Sequence, residues 1–304
     1  MANTKIYEML DEINQSFIKH LTESNPFEAL GSIPVNFNTG KHYTKFNRLH
    51  LSMVMKLKGY KTSNFLTFKQ ICAKGGCVIT GEKSHPIFFT SWVYRFNFQG
   101  NKFNVTAFSS DEAVELANKK QDTKFITKKH IFDKYCFTKY FNVFNLQQSE
   151  GIEYEEDNTA FVKASELIDA SEVTVESTSG LTRFNSRDNI LMLSEQTTET
   201  DSEYYPEVFK ALGDAFLHNL YISGVDEKEL DYAERKMITH IAAAFLSQSC
   251  GFKTPVINIA EPSLIEEWLE QLNESYYFLW RCATKAQQIH DSLLETVAST
   301  HEAA

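Results

Sequence analysis

The spacing of apolar side chains predicts helices near the N-terminus of the chain. One set recurs at helical intervals and predicts an amphipathic helix; it comprises Ile6, Met9, Leu10, Ile13, Phe17 and Leu21. Residues 48–59 predict a second helix that ends at Gly59, with Lys56 and Lys58 in its last turn. Residues 67–76 predict a short third helix that ends at the glycine pair.

Strands are predicted to follow these helices. Residues 77–98 contain two β-rich runs that the turn-forming GEKSHP separates. Phe96 and Phe98 alternate with Phe103 and Val105 on the two sides of a Gly-Asn turn, which predicts a hairpin. Residues 134–146 predict a further strand. The N-terminal half is therefore expected to be a small α+β domain.

The pattern becomes weak and then helical towards the C-terminus. Residues 149–200 are acidic and rich in Ser and Thr, and they predict a connector with one short helix and a strand or two. Beyond residue 200, apolar residues at helical spacing predict a mainly helical domain. The predicted fold class is α+β, with domains at 1–150 and 201–304 and an acidic connector at 151–200.

Composition narrows the cellular setting. No apolar run in the 304 residues approaches the roughly 20 residues that span a bilayer. The N-terminal residues are acidic and polar where a signal peptide has an apolar stretch. The five cysteines include no C-x-x-C pair. We expect a reduced protein of the cytoplasm with no membrane partner.

Charge is divided unevenly along the chain. Residues 1–145 contain 20 Lys and Arg against 11 Asp and Glu, a net charge of +9. The remaining residues contain 10 basic and 29 acidic side chains, a net charge of −19. A basic part next to an acidic part suggests that the first meets nucleic acid. Two solvated surfaces without a partner are the simpler alternative.

The basic half interleaves cations with aromatic rings, as proteins that bind single-stranded DNA do. Phosphates attract the cations and unstacked bases lie on the rings. Among the aromatic residues, Tyr43, Tyr60 and Trp92 are the better candidates, because each ring carries a polar group. The candidate DNA contacts are Lys41, Tyr43, Asn47, Arg48, Lys69, Gln70, Lys83, Trp92 and Arg95.

Several short motifs in this half occur in a familiar order. PVNFNTGKHYTKFN fits the pattern P-x-N-x-x-T-G-x-x-Y-x-G-x-N, except that Lys45 stands at the second glycine. FLTFKQ, GGCVITGEK and VFNLQQSEG follow. With these motifs the chain resembles the ArdC family of antirestriction proteins from conjugative plasmids and phages. The resemblance extends, less closely, through FNSRDNILML and YAERKMITHIAAAFL to the closing helices.

The resemblance implies a single-stranded-DNA-binding domain followed by a zincin-like metallopeptidase domain. A zincin needs two His one helical turn apart as zinc ligands and an adjacent Glu as general base. The resemblance places these positions at Lys210, Ala211 and Asp214, and a third ligand at Lys236. Lysine brings a positive charge and no lone pair, so these residues oppose zinc. We predict a pseudoenzyme that has no catalytic residues and no cofactor.

Two arrangements could replace the missing site. Metal could bind one turn further along, at Asp214, His218 and His240, although no Glu adjoins His218. Alternatively, Lys210 and Asp214 could form an ion pair at i,i+4 spacing and neutralise each other. The second arrangement is favoured.

The leading hypothesis is a non-enzymatic protein that binds single-stranded DNA and serves a phage or plasmid in a bacterial host cell. In the first alternative, the acidic C-terminal domain mimics DNA or inhibits a host restriction or other defence protein. In the second, the chain is a metallopeptidase with a non-standard site. Its partners are thus predicted to be single-stranded DNA and a host defence protein.

Overall fold

A computed structural model describes residues 2–28, 30–107, 109–154, 161–195, 200–224, 230–252, 255, 257–259 and 261–303. The described helices are α1 Ala2–Glu23, α2 Lys45–Lys58, α3 Phe68–Ala73, α4 Ser110–Lys120, α5 Ala164–Asp169, α6 Asp201–Ile222, α7 Tyr232–Ser249, α8 Pro262–Glu274 and α9 Phe278–Ala303. Short 3-10 turns occupy Lys128–His130 and Leu146–Gln148.

The described strands lie between α1 and α6. They are β1 Val35–Asn36, β2 Lys41–His42, β3 Asn64–Thr67, β4 Cys77–Val78, β5 His85–Phe98, β6 Asn101–Ala107, β7 Ile131–Asn145, β8 Ser149–Glu150, β9 Thr174–Thr178, β10 Arg183–Asn185 and β11 Ile190–Ser194. The predicted α+β class, with a mixed N-terminal part and a helical C-terminal part, is confirmed.

The chain forms two compact units whose limits differ from the predicted domains. Unit 1 comprises residues Met1–His85 and Phe144–Ala304, and unit 2 comprises Pro86–Val143. The predicted boundaries at 150 and 200 do not coincide with these units, because the first helices of the chain pack against its last ones. A division of function at those boundaries stays a prediction.

Helices from both ends of the chain build the core of unit 1. The buried apolar side of α1 includes Leu10 and Phe17, as its spacing predicted, and α1 packs against α8. Helix α2 packs against α9, and it ends at Gly59, whose φ of 66° is the left-handed conformation that favours glycine. Trp268 of α8 is fully buried and donates to the carbonyl oxygen of Ala233 at 2.7 Å.

The N-terminal motifs form small paired strands in unit 1. Strand β1 pairs antiparallel with β2 and parallel with β3. Strand β4 pairs antiparallel with β8, which brings the GGCV and QQSEG segments together. Gly76 is required there, because a Cβ atom on it would lie 2.7 Å from the carbonyl oxygen of Glu150. The motifs of the resemblance thus meet in one small assembly.

Unit 2 is a hairpin with one further strand and a helix. Strands β5 and β6 are antiparallel with Phe96 opposite Phe103, which confirms the predicted hairpin. Its turn lies one residue earlier than predicted, at Gln99 and Gly100, which both have positive φ. Helix α4 packs on β6, and β7 lies beside β5 on the other side of the hairpin.

The connector has more structure than predicted. Strands β9, β10 and β11 form a three-stranded sheet with β11 in the centre, antiparallel to β10 and parallel to β9. Strand β10 packs on α6. The sequence signal was weak because β9 is exposed along most of its length and lacks the apolar alternation of a half-buried strand.

Candidate nucleic-acid surface and helical centre

Helices α6 and α7 bring the residues of the predicted degenerate metal site together. The Nζ atom of Lys236 on α7 lies 2.8 Å from Oδ2 of Asp214 on α6. Lys210, also on α6, lies 2.7 Å from Oε1 of Glu207 and donates to the carbonyl oxygen of Asn258 at 3.0 Å. Ala211 is buried on the same helix. We call Lys210, Asp214, Lys236 and His240 the helical centre.

The predicted ion pair between Lys210 and Asp214 is wrong. Each residue has a different partner: Glu207 lies one turn before Lys210 on the same helix, and Lys236 reaches Asp214 from α7. The pair across two helices has geometric support, because Gly213 brings the two backbones close. A Cβ atom at Gly213 would lie 3.1 Å from the side chain of Thr239. Charge is thus neutralised within the centre, but by two pairs rather than one.

His240 is buried in the centre and both of its ring nitrogens are engaged. Nδ1 lies 2.7 Å from the carbonyl oxygen of Lys236, and Nε2 lies 3.1 Å from that of Asn258. Burial, followed by the charge of Lys210, lowers the pKa of His240 to about 3. The imidazole is therefore neutral at physiological pH, so one ring nitrogen donates to its carbonyl oxygen while the other directs its lone pair at a carbonyl oxygen rather than at open space.

The predicted alternative metal site at Asp214, His218 and His240 does not form. The ring of His218 packs against Phe184 at 5.6 Å between centroids, whereas His240 packs against Trp268 at 5.3 Å. In the part of the chain that the structure describes, no three His, Cys, Asp or Glu side chains lie together as a metal site.

Arg48 is a structural residue rather than a contact for DNA. Its side chain is 1% exposed. Nε donates to Oε1 of Gln248 at 2.9 Å and Nη2 donates to the carbonyl oxygen of Phe245 at 2.6 Å. Its guanidinium also lies 4.3 Å from the ring centroid of Phe245. The prediction of a DNA contact at this position is wrong, because α2 directs the side chain into the core of unit 1.

Two more of the predicted contacts have structural partners. Tyr43 is buried, which raises the pKa of its phenol, and its oxygen accepts from Nδ2 of Asn36 at 3.3 Å. Its ring is therefore not available for stacking with a base. Oε1 of Gln70 accepts from the backbone N–H of Thr67 at 2.9 Å, so this amide caps α3. Tyr43 and Gln70 therefore stabilise the fold, although the sequence pattern predicted them as DNA contacts.

The remaining predicted contacts in unit 1 lie at its surface. Lys41, Lys69 and Lys83 are exposed, and Asn47 is half-buried. Gln148 holds the loop of Lys83, because its Nε2 donates to Oε2 of Glu82 at 2.7 Å and to the carbonyl oxygen of Lys83 at 2.8 Å. The GEK and VFNLQQ motifs therefore occur together for a structural reason. The exposed lysine amines are left to face solvent.

In unit 2, the predicted residues Trp92 and Arg95 lie on opposite sides of β5. Trp92 is half-buried against the core that α4 covers, and Nζ of Lys134 lies 5.0 Å from its ring. Arg95 is on the other side, where it pairs with Asp133 at 3.0 Å and lies 5.4 Å from the ring of Tyr135. The two residues therefore cannot form one continuous contact with a strand of DNA.

A row of rings and cations on the Arg95 side was missed by sequence reasoning. We call this row the outer strip; it comprises Phe89, Arg95, Tyr135, Phe137, Lys139 and Phe141. The signal that could have revealed it is the alternation in β7, where positions 135, 137, 139 and 141 share a face. The sequence pattern of residues 134–146 by itself predicts only a strand.

Comparison with known proteins places the chain beside antirestriction proteins. Residues 4–144 match the family model described as the N-terminal domain of anti-restriction factor ArdC. Two crystal structures of the antirestriction ArdC protein from the R388 plasmid share the fold over 95% of this chain and 98% of theirs. The metal-free form has a TM-score of 0.70 at 18% identity, and the Mn(II)-bound form 0.69 at 17%. The predicted resemblance to the ArdC family is confirmed.

A curated relative is much longer. The DNA primase TraC of Escherichia coli is 23% identical over 283 residues, which cover 88% of this chain and 18% of that protein. The chain thus spans about a fifth of the relative's length.

The helical centre does not fit a metal ion such as the one in the Mn(II)-bound relative. The positions to which the resemblance assigns ligands carry Lys210, Asp214 and Lys236. The two ammonium groups have no lone pair to give, and the one carboxylate is already paired with Lys236 at 2.8 Å. A divalent cation here would meet two positive charges and displace an existing ion pair.

Proposed function

Because the chain contains the ArdC N-terminal domain and shares the ArdC fold, we propose that it is an antirestriction protein of a phage or conjugative element. It binds single-stranded DNA and acts without metallopeptidase chemistry. It works in the cytoplasm of a bacterial host, where a restriction or other defence protein is the opponent. Among the described residues, no helix is both long and apolar enough to cross a bilayer.

The charge of the N-terminal part carries the DNA-binding proposal. Residues 1–145 have a net charge of +9, and the lysines at 41, 69 and 83 are exposed rather than paired inside the fold. A basic surface attracts phosphates without regard to sequence. Coating of incoming DNA would then hinder a host nuclease that has to reach the same strand.

The helical centre supports the second half of the proposal. A zincin needs a metal-bound water and a general base next to it. Here Ala211 stands at the position of the base, and ion pairs occupy the positions of the ligands. The packing of α6 on α7 is kept while the groups that would perform hydrolysis are replaced.

Binding of the whole chain to a fluorescent single-stranded oligonucleotide tests the first half. We expect the single strand to bind more tightly than duplex of the same sequence. With four to six phosphate contacts, the affinity should fall by roughly 50- to 300-fold between 50 and 200 mM salt, because counterions are released on binding. An affinity that barely changes with salt would contradict a phosphate-driven mode.

Metal analysis of the same preparation tests the second half. We expect no stoichiometric zinc or manganese, and the same oligonucleotide affinity with EDTA or with Mn(II). The matched control is the quadruple variant K210H/A211E/D214H/K236E, which restores the ligands and base that the resemblance assigns. Stoichiometric metal in the natural chain, lost on dialysis against EDTA together with activity, would overturn the proposal.

A DNA-mimic role for the acidic part is the competing function. Residues 146–304 have a net charge of −19. Separate fragments would not test it cleanly, because Arg48 of α2 is hydrogen-bonded to Gln248 of α7 within one core. Full-length variants that neutralise exposed acids such as Glu153 and Glu176 are preferable. A loss of antirestriction with unchanged DNA affinity would favour the mimic.

A further inference from the structure

The outer strip has the composition of a surface for unstacked bases. Its rings remain accessible: Phe89 is 43% exposed, Tyr135 is 45% exposed and Phe141 is 48% exposed. Phe89 and Phe141 meet edge to face with their centroids 5.4 Å apart. Aromatic side chains of this size are normally buried in a core, so three exposed ones on the neighbouring strands β5 and β7 require an explanation.

The core of unit 2 does not supply that explanation. The side of β5 and β6 that α4 covers holds the buried cluster, which includes Tyr94, Phe96 and Val105. Successive side chains of a strand point to opposite faces, and the strip takes the odd-numbered positions of β5 and β7. Its rings are therefore on the face turned away from that cluster.

Cations lie beside these rings. The guanidinium of Arg95 lies 5.4 Å from the ring of Tyr135, and Nζ of Lys139 lies 5.1 Å from that of Phe137. Asp133 pairs with Arg95 at 3.0 Å, with both side chains nearly half exposed. This pair is weak in solvent, so a phosphate can replace the carboxylate. Unit 2 as a whole has nine basic and five acidic side chains, a net charge of +4.

We propose that the outer strip is the site at which single-stranded DNA binds. Bases stack on Tyr135 and on the Phe89–Phe141 pair, while Arg95 and Lys139 contact the phosphates between them. This assignment rests on the proposed function and locates it on named residues. The seven residues from Tyr135 to Phe141 span about 20 Å along a strand, enough for a few nucleotides.

A single strand suits this surface better than a duplex. The stacking positions need bases whose faces are free, and duplex bases are already stacked on their neighbours. Each ring accepts any base, because every base has a π-face. The site therefore predicts binding with little sequence preference.

Substitution of the rings in the full-length protein is the decisive test. Y135A and F141A should each weaken binding of a single-stranded oligonucleotide by about 5- to 150-fold, the usual cost of one lost stack. Y135F and Y135W should retain most of the affinity, because a ring remains. The matched control is Y221A, since Tyr221 of α6 is 41% exposed and lies outside the strip. Unchanged thermal unfolding of each variant verifies that unit 2 still folds.

The outcomes separate this assignment from the broader function. If the natural chain binds the oligonucleotide and Y135A and F141A bind it equally well, the strip is not the site, although the proposed function stands. If the natural chain binds no single-stranded DNA, both fail. A tenfold or greater preference for RNA of the same sequence would overturn the choice of DNA. A Y135W variant whose fluorescence is unchanged at saturating oligonucleotide would contradict direct stacking.

Discussion

The cations in the interior of unit 1 and those on the outer strip of unit 2 have opposite surroundings. Arg48 is 1% exposed and donates to Gln248 and to a carbonyl oxygen, and Lys236 is held by Asp214. Arg95 and Lys139 lie at the surface beside aromatic rings. The same residue types therefore serve packing in one region and remain available to a ligand in the other.

This difference shows why charge counted along a sequence locates a function only coarsely. The net charge of +9 over residues 1–145 includes Arg48, which no DNA strand can reach. An exposed cation attracts phosphate, whereas a buried one has already exchanged water for protein acceptors. The surroundings of a cation therefore decide its role.

The largest expected effect is the loss of the Arg48 side chain. In R48M the buried Oε1 of Gln248 loses its donor, whereas the carbonyl oxygen of Phe245 loses Nη2 of Arg48 but keeps the hydroxyl of Ser249 at 3.3 Å. We expect the free energy of unfolding to fall by about 3 kcal/mol, because a buried acceptor without a partner costs about 1–3 kcal/mol and a lost hydrogen bond from a charged donor about 1.5–3 kcal/mol. Urea unfolding followed by circular dichroism measures the change.

Arg95 provides the matched control for Arg48. Its ion pair with Asp133 is nearly half exposed, so R95M should change the free energy of unfolding by less than about 0.5 kcal/mol. R95M should weaken oligonucleotide binding instead, while R48M, measured where it is folded, should not. The reverse assignment of the two effects would break the comparison between interior and surface.

The helical parts of the fold were predictable, whereas the roles of individual polar residues were not. Leu10, Phe17 and Gly59 carry local signals, namely period and capping, that suffice to predict a helix. The role of Arg48 depends on Gln248, 200 positions further along the chain. No local pattern contains that contact. The limits of the two compact units could not be predicted for the same reason, since they depend on packing between the two ends of the chain.

Protonation of the buried histidines of unit 1 should be unfavourable, so the free energy of unfolding should fall in acid. Burial lowers the pKa of His50 from 6.5 to about 3, and that of His85 to about 4. Below pH 6.5 the unfolded chain takes up a proton at His50 that the folded chain excludes until about pH 3. The contribution of neutral His50 to the free energy of unfolding is therefore fully present above pH 6.5 and is lost as the pH falls towards 3.

H50Q isolates this contribution. Relative to pH 8, the natural chain should lose about 2 kcal/mol more than H50Q at pH 5, since glutamine does not titrate. Urea unfolding at both pH values gives the two differences. An equal loss in both proteins would mean that His50 titrates normally and that this interior does not exclude charge.

The pair of Asp214 and Lys236 should contribute a smaller, measurable coupling. Their side chains are 16% and 25% exposed, so solvent screens the attraction only partly, and we expect about 1 kcal/mol from a double-mutant cycle of D214N and K236M. The control is the pair of Lys163 and Glu166, whose charged atoms lie 3.8 Å apart and whose lysine is 82% exposed, and it should give almost none. Equal coupling energies in both pairs would show that the ion pair in the helical centre is no stronger than one at the protein surface.

The centre shows how far motif reasoning reaches. The resemblance brought Lys210, Asp214 and Lys236 to attention, and the structure places them together on α6 and α7. The pairing itself could not be predicted from spacing, because i,i+4 neighbours on one helix compete with partners from another. The outer strip was visible in the alternation of β7, but only the fold tells which face α4 leaves open.

The smallest expected effect concerns Lys45, where the motif has glycine. Its φ is +57°, a left-handed conformation that costs a side chain about 1 kcal/mol, and its N–H donates to Oε1 of Gln287 at 3.1 Å. K45G should therefore raise the free energy of unfolding by about 0.5–1 kcal/mol. K45A removes the same charge but keeps the Cβ atom, so it should give no such gain. If K45A and K45G stabilise equally, the charge of Lys45 rather than its backbone conformation is the source. In that event the charge of an exposed cation in unit 1 would lower the free energy of unfolding. Burial alone would then not decide whether a cation affects stability.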